Sequence, residues 1–377
     1  MSLTLHWFLP TNGDSRTDLS LGNAVGAAGS RVSDGGVERA PSIGYIGQIA
    51  RSAEQLGFEA ALTPTSSWCE EAWVMTAGLT QVTERFKFLV AFRPGLMSPL
   101  LGAQMAATYQ RISGGRLLLN LVVGGDDIEQ RRFGDPLDKH QRYVRAGEFM
   151  EILRRLWTGD AVDFHGEHLF VEGAQLPAIP DWPDVYLGGS SDDAVELAAA
   201  QADVFLTWGE PPAQVAEKVE RVTRRARELG RELRFGIRLH VISRQHAGDA
   251  WSEAQRLLES LDPDAIAAAQ AIQSASQSEG QRRMQALHGG RTDNLEVSPN
   301  LWAGVGLVRG GAGTALVGNY EQVADRIAEY HEIGIDEFIL SGYPHLEEAY
   351  HVGEGVVPEL RRRGLLPDPA GAQELAL

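Results

Sequence analysis

The sequence predicts a (β/α)8 TIM barrel, an α/β fold in which eight parallel strands close into a cylinder inside a ring of helices. Eight short apolar runs recur along the 377 residues, and strands buried on both faces have this continuous apolar character. Helical patterns separate the runs, and several stop at a glycine suited to the left-handed C-terminal position: Gly57, Gly230 and Gly334. Such repeated alternation of strand and helix is typical of a parallel barrel.

The predicted strands occupy residues 3–9, 59–62, 86–91, 117–122, 185–187, 204–207, 235–242 and 338–340. Two segments interrupt the alternation and are predicted insertions. Residues 140–183 contain a helix and a hairpin over 162–171 that turns at His165-Gly166. Residues 262–300, the lid segment, contain a helix beginning at Asp262 and a polar stretch, and are the candidate for a mobile lid over the site.

One barrel domain is expected over residues 1–366, followed by a flexible tail at 367–377. The loop at 11–42, rich in Gly, Ser and Asp, is expected to be mobile in part. With 34 basic and 51 acidic residues, the net charge is -17, which excludes a general attraction to nucleic acid or anionic membrane. An anionic substrate therefore requires local arginines.

The single cysteine excludes an intrachain disulfide. The N-terminal residues lack the basic and apolar regions of a signal peptide, and the longest uncharged run, at 94–110, carries prolines and glutamines unlike a membrane span. A cytoplasmic protein without nucleic-acid or membrane partners is expected.

In a barrel of this type, function sits at the carboxyl ends of the strands. Arg238 and His240 stand two residues apart on the seventh predicted strand and therefore share a face. They either point inward, where they need a ligand, or point outward, or form a structural ion pair. Tyr343 and His345 follow the eighth strand and can donate protons or orient water; the alternative is a buried tyrosine with a satisfied hydroxyl and a surface histidine.

Three further motifs stand at predicted loops. Gly188-Gly189-Ser190-Ser191-Asp192 precedes a helix and suits either a phosphate or a plain serine N-cap. The glycine-rich run 306–313 does not match the dinucleotide fingerprint and is predicted to be a flexible loop presenting Arg309. Cys69 precedes a helix, whose N-terminus can lower a thiol pKa, although a lone cysteine is more often a small buried hydrophobe. No spacing of histidines or cysteines indicates a metal site.

Four stretches together resemble the reduced-flavin alkanesulfonate monooxygenases of the bacterial luciferase superfamily: residues 206–212, 235–242, 300–318 and 341–350. The similarity runs from about residue 5 to about residue 358. The resemblance implies that FMNH2, delivered by a separate NAD(P)H-dependent FMN reductase, reacts with O2, and that the oxygenated flavin attacks the sulfonate sulfur. An alkanesulfonate would then yield an aldehyde and sulfite. Relatives form dimers of dimers, so a homo-oligomer, dimer or tetramer, is expected.

The resemblance also implies roles for residues at matching positions. Arg238 and Arg309 would hold the sulfonate, and the other members of the catalytic set are His240, Tyr343, His345 and Cys69. Trp208 would contact the substrate. The cofactor-binding set is Asn120, Tyr143, Gly189, Ser190 and Ser191. Which residue accepts the proton from the carbon next to sulfur stays open, as does the preferred chain length.

Three departures from the relatives' pattern concern the site. Asn12 stands where relatives have a histidine, Gly26-Ala-Ala-Gly29 where they have acidic residues, and Val123 where they have a threonine near the flavin. The alternative functions are a luciferase-like monooxygenase of another organosulfur or small organic substrate, a deazaflavin F420-dependent oxidoreductase, and a non-catalytic flavin-binding protein.

Overall fold

The computed structural model describes residues 2–16, 19, 39–179 and 181–367. The strands are β1 (Thr4–Phe8), β2 (Ala60–Thr63), β3 (Lys87–Phe92), β4 (Leu117–Leu121), β5 (Val162–His165), β6 (Phe170–Ala174), β7 (Val185–Gly188), β8 (Val204–Trp208), β9 (Arg234–Arg244), β10 (Glu296–Ser298), β11 (Leu301–Trp302), β12 (Ala315–Asn319) and β13 (Glu337–Ser341). Eight of them pair in parallel in the closed order β1, β2, β3, β4, β7, β8, β9, β13 and back to β1. The predicted TIM barrel is confirmed, and each of the eight predicted apolar runs is one of these strands.

The helices are α1 (Ile43–Leu56), α2 (Ala72–Leu79), α3 (Pro99–Ser113), α4 (Asp127–Arg132), α5 (Lys139–Trp157), α6 (Asp192–Gln201), α7 (Pro212–Glu228), α8 (Ala247–Glu259), α9 (Pro263–Ser274), α10 (Glu279–His288), α11 (Tyr320–Glu332), α12 (His345–His351) and α13 (Val357–Arg362). The three glycines predicted to end helices have φ angles of 94° at Gly57, 70° at Gly230 and 98° at Gly334. A side chain is strained in this left-handed region, which is why glycine stands there.

Of three buried hydrophobic clusters in the described residues, one packs α8 and residues 302–317 together, and the other two hold the barrel. The larger lies between the strands and the helices, where side chains such as Trp7, Phe88 and Phe338 are buried. The smaller fills the barrel interior with residues contributed by the strands alone, including Leu89, Tyr186 and Ile339. Burial on both faces explains why these strands are continuously apolar in sequence.

The hairpin predicted over 162–171 is present as β5 paired antiparallel with β6, which extends it to Ala174. The helix of the same predicted insertion, α5, packs between α3 and α6 in the outer ring. The first insertion is therefore limited to the hairpin and its flanks. Sequence periodicity cannot distinguish a ring helix from an inserted one, because both have one apolar face.

The lid segment contains two helices, α9 and α10, instead of the one predicted, and ends in β10. Beyond it, β11 and β12 were not predicted; β12 pairs in parallel with the upper part of β9, from His240 to Arg244. The glycine-rich run between them is not an open loop, because residues 304–309 are buried and begin with a short 3-10 helix.

Some expectations fall outside the described residues. They include most of the loop at 11–42, with the Gly26-Ala-Ala-Gly29 departure, and the tail at 368–377. Within the described part of the chain, no helix has the length and apolar character needed to span a bilayer.

Candidate active site

The carboxyl ends of β1, β9 and β13 bring polar side chains together at one end of the barrel. Parallel pairing sets Ile339 beside Arg238 and Ser341 beside His240. Arg238 and His240 are 6% and 1% exposed. Their neighbours on β9, Ile237, Leu239 and Val241, belong to the core between strands and helices, so Arg238 and His240 face the barrel interior and the outward alternative does not apply to either. Two polar side chains buried in a barrel interior need partners or a ligand.

Arg238 and Arg309, here called the arginine pair, lie over the ring of Phe8, at 4.7 and 5.3 Å from its centroid. Arg238 donates to the Leu239 carbonyl at 2.6 Å and to the Ser341 hydroxyl at 2.7 Å. Arg309 donates to the Tyr343 hydroxyl. In the described residues, neither guanidinium forms an ion pair with a carboxylate.

The arginine pair is therefore buried without a compensating negative charge from the described residues. Burial, and next the charge of Arg309, lower the pKa of Arg238 to about 9. Buried charges in proteins are normally paired or bind an ion of opposite sign. This arrangement favours an anionic ligand, and a guanidinium fork suits an oxyanion better than a lysine does.

His240 is fully engaged by the protein. Its Nε2 lies 3.0 Å from the carbonyl of Ala312, which only accepts, so Nε2 carries the proton. Its Nδ1 then accepts from the Ser341 hydroxyl at 2.8 Å. The ring stacks on Tyr343 with centroids 5.4 Å apart. Burial, followed by the charge of Arg238, lowers the pKa of His240 well below its usual value, so the ring is neutral at pH 7.

His345 is buried, in contrast to the alternative of a surface histidine. Its Nδ1 lies 2.9 Å from Oδ1 of Asp14, and its backbone N–H donates to Oδ2 of Asp14 at 2.8 Å. The hydroxyl of Tyr45 donates to the same Oδ2 at 2.5 Å. Asp14 and Tyr45 were not among the residues predicted from the sequence, although Asp14 follows β1 at the carboxyl end of the barrel, the position that marks functional residues.

Two other candidates carry protons at neutral pH. Burial raises the pKa of Tyr343 and outweighs the charge of Arg309. Burial also raises the pKa of the partly buried Cys69 to about 11. The helix that follows Cys69 starts only at Ala72, so the predicted lowering by a helix N-terminus is wrong for this thiol.

A cavity of about 380 Å³ lies beside these residues. Its wall includes every residue of the predicted cofactor-binding set, together with Trp208 and Arg238. It also includes Val123, so that departure from the relatives' pattern lies at the cavity. The volume is in the range of pockets that hold cofactors. Of the predicted catalytic set, Arg238 is on this wall, whereas Arg309, His240, Tyr343, His345 and Cys69 are not. The cavity thus joins the predicted phosphate end to Arg238.

The residues at the far end of the cavity fit a phosphate. Ser191 caps α6 by accepting from the backbone of Ala194, and a Cβ on Gly189 would come within 2.4 Å of Ala194. Lys139, at the start of α5, also lines the cavity; sequence analysis missed it. Helix N-termini, serine hydroxyls and a lysine are groups that bind phosphate. A phosphorylated planar cofactor such as FMN therefore fits the residues present.

The lid segment covers this cavity. Residues 276 and 278–281 line it, and a Cβ on Gly280 would lie 2.9 Å from Trp208. The side chain of Gln281 accepts from the backbone of Gly311 at 2.8 Å. Arg283 pairs with the buried Glu210, which also binds Lys218 at 2.9 Å. The lid segment is thereby attached both to the loop that carries Arg309 and to the end of β8.

Solved structures share this architecture. Riboflavin lyase RcaE, solved with modified FMN and riboflavin, matches with a TM-score of 0.79 at 20% identity, covering 97% of this chain and 93% of its own. DmoA from Hyphomicrobium sulfonivorans matches with a TM-score of 0.78 at 19% identity, covering 98% and 90%. An F420-dependent secondary alcohol dehydrogenase, in complex with an F420-acetone adduct, matches with a TM-score of 0.66 at 17% identity, covering 95% and 99%.

At such identities these likenesses establish the fold alone. The sequence itself goes further, because a family model described as luciferase-like monooxygenase matches residues 7–337, which includes the cavity wall and most of the buried cluster at the barrel mouth. With this match extending over most of the barrel, the chain belongs to the luciferase-like monooxygenase family.

Proposed function

We propose that this protein is an FMNH2-dependent alkanesulfonate monooxygenase. The reaction would be R–CH2–SO3⁻ + FMNH2 + O2 → R–CHO + SO3²⁻ + FMN + H2O + H⁺. The carbon–sulfur bond breaks and its electron pair leaves with sulfite, while the carbon gains an oxygen atom and loses a proton. When bound, the reduced flavin would supply two electrons and activate O2.

The observation that carries the proposal is the arginine pair. Arg238 and Arg309 are buried at the barrel mouth with no carboxylate partner in the described residues, and Arg238 also lines the cavity. A sulfonate would provide the missing negative charge and three acceptor oxygens. Among the substrates of flavin monooxygenases, a neutral alkane would leave both guanidinium groups buried and uncompensated.

The remaining residues support this assignment. Ser190, Ser191, Tyr143 and Lys139 would bind the phosphate of FMN at one end of the cavity. Trp208 would lie between the flavin and the lid segment, against Gly280. The lid segment would exclude water, because a closed site suppresses the loss of activated oxygen to side reactions. An NAD(P)H-dependent FMN reductase would supply the reduced flavin, and a cytoplasmic homo-oligomer is the expected working form.

The decisive experiment is sulfite release by the purified protein with FMN, a flavin reductase, NADH and unbranched alkanesulfonates from one to ten carbons. The assay is run in air and again without oxygen, and a reaction with reductase alone gives the background. Oxygen-dependent sulfite above this background is expected, and the member with the highest kcat/KM defines the chain-length preference.

Absence of sulfite with every member would overturn the proposal. The same preparation then separates the alternatives. Oxygen-independent oxidation of an alcohol with F420 would identify an F420-dependent oxidoreductase, and oxidation of another organosulfur compound would identify a monooxygenase of different specificity. A protein that purifies yellow and binds oxidised FMN more tightly than FMNH2 would be a flavin-binding protein.

A further inference from the structure

The proposed reaction removes one proton from the carbon next to sulfur, so the site needs a group that can accept it. Such a base must be near the arginine pair, unprotonated at neutral pH, and have a free lone pair. The titratable groups packed there are His240, Tyr343, His345, Cys69 and Asp14. Tyr343 and Cys69 are protonated at pH 7, and the Asp14 oxygens are occupied by His345 and Tyr45, which leaves the two histidines as candidates.

His240 does not meet the third condition. Its Nε2–H donates to the Ala312 carbonyl, and the lone pair on Nδ1 accepts from Ser341. Ser341 accepts in turn from Arg238, so its own hydroxyl proton points to His240. Both nitrogens of His240 therefore have partners, and this ring holds Ser341 and Arg238 in place.

His345 meets all three conditions. Burial by itself would raise the pKa of Asp14, but the interactions with His345 and with the phenol of Tyr45 outweigh it and lower the pKa. Asp14 is therefore a carboxylate. Since a carboxylate only accepts, Nδ1 of His345 carries the ring proton. The lone pair is then on Nε2, which is buried and has no hydrogen-bond partner among the described residues. The ring packs edge-on against Tyr343, at 5.2 Å between centroids, beside the arginine pair.

We propose that Nε2 of His345 accepts the proton from the carbon next to sulfur, and that Asp14 is the positioning residue that fixes its tautomer. This inference rests on the proposed function. On the carbon that has gained the oxygen atom, the carbon–hydrogen bond breaks and its electron pair forms the second bond of the aldehyde carbonyl. At the same time sulfite leaves with the electron pair of its bond to the substrate, and the proton moves to Nε2. The resulting imidazolium would be stabilised by Asp14 and would release the proton to water after turnover.

Asp14 is itself held by residues of other elements. Tyr45, on α1, donates to Asp14 and accepts from Arg39 at 3.1 Å. Arg39 pairs with Glu347 on α12 at 2.5 Å. This chain of contacts leads from the buried His345 to the partly exposed Glu347. Within it, the Asp14 carboxylate is held by His345 on one side and by Tyr45 on the other. The control position lies outside this chain of contacts: Glu172, which is exposed on the β5–β6 hairpin.

The kinetic test compares His345→Gln, Asp14→Asn and Tyr45→Phe with the control Glu172→Gln. We expect kcat to fall by about 10²–10⁴-fold in His345→Gln, the usual contribution of a general base. Asp14→Asn should lower kcat by roughly 10–100-fold with little change in KM, Tyr45→Phe should have a smaller effect, and Glu172→Gln should be close to wild type. With a substrate deuterated at the carbon next to sulfur, the isotope effect on kcat should increase in Asp14→Asn, because proton removal becomes slower.

The pH profile separates positioning from a structural role. The groups that face His345 are Asp14, Tyr343 and, at longer range, Arg238, Arg309 and His240. Burial lowers the pKa of His345 and outweighs the opposite effect of Asp14. Activity should therefore be constant near pH 7 and fall as the pH drops through a value below the ordinary 6.5. Loss of the Asp14 charge should move this fall to lower pH.

A readout independent of activity is the ¹⁵N NMR spectrum of protein labelled at histidine, with His345 assigned by its loss in His345→Gln. We expect a protonated Nδ1 and an unprotonated Nε2. A proton on Nε2, or an acid limb that is unmoved in both Asp14→Asn and His345→Gln, would overturn the inference. A wild-type protein without sulfite release would instead overturn the proposed function, and the spectrum would still decide the tautomer.

Discussion

Strands β1, β9 and β13 carry charged or titratable side chains at both ends of the barrel. The two ends differ in whether the arginines there have carboxylate partners. At the amino ends, Glu337 accepts from Tyr186 at 2.7 Å, contacts His6 at 3.0 Å and pairs with Arg234 at 2.6 Å. Arg234 also pairs with Asp184 at 2.5 Å. These five residues are called the lower cluster, and its arginine, Arg234, thus has two carboxylate partners.

At the carboxyl ends, the same strands lead to the arginine pair, which has no carboxylate in the described residues. Arg234 and Arg238 are four residues apart on β9, so one strand supplies a paired and an unpaired arginine. A paired charge in a barrel contributes to stability, whereas an unpaired buried charge costs stability unless a ligand compensates it. The difference separates the structural end of the barrel from the functional end.

The largest expected effect comes from Arg238→Met. It should lower kcat/KM for an alkanesulfonate by about 10³-fold, since truncating one member of a buried charge pair costs about 4 kcal/mol. Stability should be unchanged or higher, because an uncompensated buried charge is removed. Steady-state sulfite assays and urea unfolding measure the two quantities.

The matched control is the same substitution four residues earlier. Arg234→Met should leave kcat/KM near wild type and lower the free energy of unfolding by about 1–3 kcal/mol, because Glu337 loses a partner but keeps two. If Arg238→Met destabilised the protein as much as Arg234→Met, the two ends of the barrel would not differ in the way described.

The fold was predictable because its signal is local. Each barrel strand is a short apolar run, and Gly57, Gly230 and Gly334 end their helices as expected. Strands β10, β11 and β12 were missed because they are two to five residues long and lie near a glycine-rich run. They pair with one another, and β12 joins them to the barrel by pairing with β9. That pairing joins residues far apart in sequence.

The site was predictable only where a motif carries it. Arg238 and His240 were found from their spacing on one strand, but Asp14 was missed because its partner, His345, is 331 residues away. At Cys69 the sequence motif instead suggested a functional property that the fold does not provide. Its position before a helix suggested an activated thiol, whereas burial, which depends on tertiary packing, raises its pKa to about 11.

A second prediction concerns the lower cluster. Glu337→Gln should lower the free energy of unfolding by about 3–5 kcal/mol, the usual cost of breaking a buried ion pair. Activity per folded molecule should be unchanged. Urea unfolding measures the loss, and Glu172→Gln, an exposed position on the hairpin, should change stability by less than about 0.5 kcal/mol.

The pH dependence of the stability lost in Glu337→Gln tests whether the loss comes from charge pairing. Burial raises the pKa of Glu337, but hydrogen bonds from His6 and Tyr186 and the charge of Arg234 outweigh it, so the pKa is lowered. A lowered pKa contributes stability above the unfolded-state value, about 4.3, and that contribution is lost as the pH falls through the folded-state pKa. The difference between wild type and Glu337→Gln should be full at pH 7 and shrink below about pH 4; a constant difference would indicate lost packing instead of lost charge pairing.

The smallest effect is expected at Glu210, a buried carboxylate at the cavity end of the barrel that binds two cations. One of them, Lys218, lies in the barrel wall, and the other, Arg283, belongs to the lid segment. Because Arg283 is one-third exposed, its loss should cost about 1 kcal/mol, and Glu210 keeps Lys218. Arg283→Met should therefore raise the open population of the lid segment about fivefold without unfolding the barrel.

Two measurements detect that opening: the rate of limited proteolysis within residues 275–295, which should rise about fivefold, and the sulfite formed per NADH consumed, which should fall as activated oxygen escapes. Arg282→Met is the control, since this neighbouring side chain on α10 is exposed and has no partner among the described residues. Equal proteolysis rates in the two variants would mean that Glu210 and Arg283 only stabilise the fold, like the lower cluster. A rate increased only in Arg283→Met would show that the ion pair between Glu210 and Arg283 keeps the lid segment closed over the site.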